Sequence, residues 1–134
     1  MTTQIYAVVG PSPWIRAALW FIKGLVALAF VAAAYLKLSG SPHMVEEFGK
    51  VGFGQGFRYI TGGIEIAGAL LLLWPRSAFL GAIALLGICG GALVAQLGPL
   101  HGDVIHVFVL GALLTLIAWI SRPAALGGVS PRTA

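Results

Sequence analysis

Apolar residues gather along this chain into four long segments, roughly residues 14–36, 58–74, 77–97 and 104–120, and the polar residues collect mainly between them. Each segment holds about 17 to 23 residues, enough for a helix to cross a hydrocarbon core of about 30 Å. None alternates with a period of two, and glycine and alanine are frequent, so helices satisfy the backbone in lipid better than barrel strands would. The links are short, which predicts antiparallel neighbours. The expected fold is therefore all-α and polytopic. It is one domain over residues 1–134: an antiparallel bundle of four transmembrane helices, with a short surface helix in the first outer loop.

That surface helix is predicted from Ser41-Pro42-His43-Met44-Val45-Glu46-Glu47-Phe48, which has a capping serine, a proline at the first helical position and acids in the first turns. The next nine residues, Gly49 to Phe57, contain four glycines and are expected to form a loop, because that much backbone freedom opposes a helix. Residues 1–13 read as a short lead-in ending in Gly10-Pro11-Ser12-Pro13, with Trp14 and Trp20 as interfacial anchors. Trp74-Pro75-Arg76-Ser77 predicts a tight turn. Gly98 to Asp103 predicts another, with Asp103 placed to cap the fourth span.

Helical spacing assigns faces. In the first span Arg16, Trp20, Lys23, Ala27, Phe30, Ala34 and Lys37 share one stripe, expected to face the bundle or a wet groove, with Lys23 snorkelling to an interface. In the second, Arg58, Thr61, Gly62, Glu65, Gly68, Ala69 and Leu72 share a small-residue face suited to close helix approach, with Ile60, Ile64 and Leu71 opposite. In the third, Gly87, Gly91 and Ala95 are expected to form a packing seam, Gly87 to Gly91 being a GxxxG match. Leu85, Cys89, Ala92 and Gln96 share another face of that helix.

Composition supports the membrane assignment: 59% of the residues are hydrophobic, 9% are charged, and the mean hydropathy is +0.98. The net charge of +4 comes from scattered flanking lysines and arginines, which argues against nucleic acid and for anionic headgroups. Arg16, Lys23, Arg76, Arg122 and Arg132 outnumber Lys37, Lys50 and Arg58, so both termini are expected in the cytoplasm and the protein in the bacterial inner membrane. A competing reading of the first segment, a signal peptide cleaved after Ala32-Ala33-Ala34, is set against its retention, which we expect. Cys89 is the only cysteine, which excludes an internal disulfide and a cysteine metal site.

With that topology Lys37, Glu65, Gln96, His101, Asp103 and His106 all fall in the outer half of the bundle. Glu65 would lie roughly 8 to 10 Å inside its span, counting about 1.5 Å per residue. A carboxylate at that depth costs about 2.5 to 3.5 kcal/mol, so it needs compensation. A Lys37 or His106 partner would keep it ionised; desolvation would instead protonate it. The polar cluster is thus either a clasp between helices or a binding pocket. The spacing of His101, Asp103 and His106 is not a metal-ligand motif, and no metal is expected.

Ala34-Tyr35-Leu36-Lys37-Leu38-Ser39-Gly40, Phe48-Gly49-Lys50-Val51-Gly52, Phe57-Arg58-Tyr59-Ile60-Thr61-Gly62-Gly63-Ile64-Glu65-Ile66-Ala67-Gly68-Ala69-Leu70-Leu71-Leu72 and Gly91-Ala92-Leu93-Val94-Ala95-Gln96-Leu97 resemble the DoxX-like family of small four-helix bacterial membrane proteins, from about Arg16 to Pro123. The resemblance implies that Lys37 and Glu65 are the characteristic polar positions. Where that family often carries histidine this chain has Gln96, which does not titrate. Some relatives look like membrane partners of thiol or quinone redox systems, and distant animal relatives like receptor-assembly chaperones. The chain itself shows no nucleophile–base pair, no CxxC and no phosphate loop. We expect a membrane accessory protein whose outer pocket around Lys37 and Glu65 binds a small amphipathic ligand or a partner membrane protein. The alternative is the membrane subunit of a quinone- or thiol-linked oxidoreductase, with quinone as its cofactor and the redox centre on another protein. A homodimer is a further expectation, from the GxxxG seam.

Overall fold

The computed structural model describes residues 12–123, leaving outside it Arg132 and all of the expected lead-in except Ser12 and Pro13. Among the described residues five helices follow one another: α1 Pro13–Leu38, α2 Pro42–Val51, α3 Gln55–Leu73, α4 Ala78–Leu97 and α5 Ile105–Ser121. Local chemistry sets several of the ends. Ser12 and Ser41 cap α1 and α2 by accepting from Ile15 N and Met44 N, each at 3.4 Å, with a proline in the first turn of both helices. Ser77 Oγ donates to Leu71 O at 2.9 Å and tightens the turn between α3 and α4. Asp103 Oδ1 accepts from Ile105 N at 2.9 Å at the start of α5.

Only Gly52, Phe53 and Gly54 separate α2 from α3, far less than the nine-residue loop expected from composition. Gly49 and Gly56 are helical, and the reversal is confined to two left-handed glycines, Gly52 at φ 88° and Gly54 at φ 83°. Helices α1, α3 and α4 are long and apolar enough to cross a membrane. At 17 residues, α5 is apolar but shorter, about 26 Å at about 1.5 Å per residue.

Helix α1 packs on α3, α3 on α4, α4 on α5, and α5 returns to α1, while α2 lies against the first turns of α3. Their common interior is apolar, with Phe30, Leu72, Leu85, Leu114 and Ile117 almost completely enclosed. The stripe on α1 is buried only at Ala27, Phe30 and Ala34; Arg16 and Trp20 are exposed, and Lys23 lies over the Trp20 ring at 5.2 Å. On α3 the buried residues are Arg58, Gly62, Glu65, Gly68, Ala69 and Leu72.

The close approach on α4 is at Gly81, not at the Gly87–Gly91 seam. A Cβ at Gly81 would stand 2.5 Å from Leu72 N and 2.7 Å from Gly68 O, whereas Gly87 and Gly91 are exposed with open space around them. The reason is rotational: Gly81, Leu85 and Cys89 turn inward, which carries positions two residues further on toward the outside.

Candidate functional site

Lys37 stands in the last turn of α1 and Glu65 just past the middle of α3, and they meet where Gly62 lets the helices close. A Cβ on Gly62 would lie 3.0 Å from Leu38 Cγ and 3.4 Å from Lys37 Cβ, so any larger residue would push the partners apart. Lys37 Nζ donates to Glu65 Oε1 as a salt bridge; Lys37 is 14% exposed and Glu65 only 2%. Glu65 Oε2 is buried with no hydrogen-bond partner among the described residues.

A third charged group, Arg58, completes this cluster. It is 4% exposed, donates from Nη1 to the carbonyl of Lys37 and from Nε to Gln55 Oε1 at 2.9 Å, and lies 4.4 Å from the centre of the Tyr59 ring. Gln55 Nε2 in turn donates to Val45 O of α2 at 3.1 Å. The carbonyls of a helix's last turn lack intrahelical donors and carry the negative end of its dipole, so Arg58 both satisfies and neutralises the end of α1. Gly40, at φ 73° and facing the guanidinium, ends α1 without a side chain in that space. A continuous chain of contacts thus runs Glu65, Lys37, Arg58, Gln55, Val45 and links three helices.

Beside it, α2 and the link between α4 and α5 enclose an open groove of about 520 Å³. One wall is the polar face of α2, with His43, Glu46, Glu47 and Lys50; the other carries Gln96, Asp103 and His106. Within the walls His43 Nε2 lies 3.1 Å from Glu47, Lys50 Nζ 2.9 Å from Glu46, and His106 Nδ1 3.5 Å from Asp103. The Lys50 ammonium, by hydrogen bond and charge, holds the Glu46 carboxyl below its ordinary range. The side-chain amide of Gln96 packs against Gly102, whose backbone N–H donates to the Gln96 backbone carbonyl at 3.1 Å. Glu46, Glu47 and Asp103 against Lys50 give the groove a formal charge of −2 with its histidines neutral, within a chain whose net charge is +4.

The six side chains named from the sequence therefore fall into separate groups. Lys37 and Glu65 form the buried pair and do not line the groove; Gln96, Asp103 and His106 line it; His101 is exposed in the link at φ 46° and does not. Neither Arg58 nor the polar face of α2 was expected from the sequence as part of a site. Both left a signal: Arg58 stands seven residues before Glu65 on one stripe, and His43, Glu47 and Lys50 recur at helical spacing. Cys89 is buried at the edge of a second, apolar groove between α4 and α5. Among the described residues no three histidine, cysteine or acidic side chains come together as metal ligands.

A family model described as the DoxX-like family matches residues 21–121, a span that takes in most of α1 and all of α2 to α5. The chain belongs to the DoxX-like family. No curated protein and no solved structure matched it. Membership and long apolar helices together make this DoxX-like chain a small helical membrane protein. The matched span contains both the buried charge cluster and every residue lining the polar groove.

Proposed function

We propose that this DoxX-like protein is an accessory protein of the bacterial inner membrane that uses the polar groove, rather than the buried ion pair, to hold a small amphipathic ligand or a polar segment of a partner membrane protein. The observation that carries this reading is a concentration of chemistry: three of the chain's four acidic side chains and two of its three histidines line one groove. The fourth acid, Glu65, is committed to Lys37. In this reading the buried cluster is a fastener that positions α2, through Arg58 and Gln55, as a wall of the groove.

The arrangement in the bilayer belongs to the same proposal. Four helices cross in antiparallel order, α5 included, with both termini cytoplasmic and the groove outside. In support, Gly68 meets Leu85 while Leu72 meets Gly81, so contacts descend α4 as they climb α3. A 17-residue apolar helix fits if the bilayer thins locally around it, at a cost of fractions of a kcal/mol per Å. The open face at Gly87 and Gly91 leaves a surface for a second copy.

Native mass spectrometry of protein released gently from its own membrane tests the reading. A bound molecule or partner chain is expected on the wild type and lost from a Glu47→Gln, Asp103→Asn, His106→Ala variant that keeps its helicity. Identical bound masses on both proteins would overturn it. A bound isoprenoid quinone would move the assignment to a quinone-linked subunit.

A further inference from the structure

Phe53 is the residue the fold leaves most oddly placed: a phenylalanine 74% exposed at the tip of the reversal between α2 and α3. It is held there by the left-handed glycines on either side, Gly52 and Gly54, which turn the chain so that residue 53 forms the elbow. Its ring is 5.1 Å from that of Phe57, and Phe57 is 6.0 Å from Phe48, so the elbow carries three clustered aromatic rings. Leaving a ring of this size in water forgoes the stabilisation that burying it would bring.

The cluster is continuous with the exposed stripe of a membrane-crossing helix. Phe57, Ile60 and Ile64 follow one another at helical spacing along α3, and all three are exposed. From Phe57 to Trp74, exposed at the far end, is about 26 Å at about 1.5 Å per residue, close to the thickness of a hydrocarbon core. That spacing places the phenylalanines at one interface and Trp74 at the other, as in an aromatic belt. The polar face of α2, with His43, Glu46, Glu47 and Lys50, lines the groove, while Phe48 looks toward Phe57.

We propose that the Phe48–Phe53–Phe57 elbow inserts into the headgroup–acyl boundary of the leaflet on its own side, laying α2 in the membrane interface with its polar face turned to the groove. The occupant of this surface is lipid. Recognition is apolar, because α2 carries two acids against one lysine and offers no net positive charge to anionic headgroups.

Power-saturation spin-label measurements in phosphatidylcholine vesicles test this. The single native cysteine is first replaced by Cys89→Ser, and a nitroxide is attached in turn at Phe53→Cys, Glu46→Cys and Ile64→Cys. Oxygen accessibility relative to a water-soluble nickel chelate is expected to be severalfold higher at 53 than at 46, below the value at the deeper position 64, and unchanged when phosphatidylglycerol is added. The elbow is not in lipid if position 53 matches position 46, if its label is immobilised and shielded from both reagents as in a protein contact, or if insertion requires phosphatidylglycerol. Circular dichroism of each labelled protein confirms that the helices are intact.

Discussion

Removing the Glu65 carboxylate leaves a Lys37 ammonium, 14% exposed, facing an apolar interior with no counter-charge. Breaking a buried ion pair from one side costs about 3 kcal/mol, so Glu65→Gln should lower the midpoint of thermal unfolding markedly in a fixed detergent. Replacing both partners, as Lys37→Met with Glu65→Leu, should recover most of that loss, because an apolar pair carries no desolvation cost. A double variant as unstable as Glu65→Gln would refute the fastener role. Arg58 makes a different prediction. Lysine at position 58 keeps the charge but cannot reach the Lys37 carbonyl and Gln55 Oε1 together, which costs about 1 to 3 kcal/mol for the groups left unpaired. Since Gln55 ties Arg58 to Val45, Arg58→Lys should also speed hydrogen exchange at the α2 amides while leaving α4 unchanged.

Between helices, close packing depends on which glycines meet a neighbour. Gly81→Ala would drive a methyl group into Leu72 N and Gly68 O, so it should cost about 1 to 3 kcal/mol of stability. Gly87→Ala meets open space and should change protomer stability by less than about 0.5 kcal/mol. Thermal unfolding of the two variants side by side checks the contrast. The sequence made the helices legible because length and apolarity alone identify them, and the inward stripe of α3 followed from its glycines and Glu65. The turn of α4 was not legible. A GxxxG spacing records where small residues lie, whereas the facing direction is set by how Leu85 and Cys89 pack with the other helices. The Gly49–Phe57 stretch misled for a related reason. Four glycines have the same composition whether helical or left-handed, and only Gly52 and Gly54 take positive φ.

Across the whole molecule, the acidic side chains divide between a buried ion pair and an open groove. The sequence leads one to expect them at a common level, since each apolar segment supplies a ruler of about 1.5 Å per residue. Their separation does not follow from it, because it depends on where α2 settles, and that is fixed by the Gln55–Val45 hydrogen bond and the packing of Phe48 on Phe57. The polar face of α2 was readable from its spacing, but the wall it would oppose was not. Carboxylate labelling of the folded protein in detergent, with a water-soluble carbodiimide and an amine, read by peptide mass spectrometry, tests this division most directly. The account predicts that Glu46, Glu47 and Asp103 react and that Glu65 stays unmodified until the protein is unfolded. Glu65 reacting in the folded protein as fast as Asp103 would contradict it.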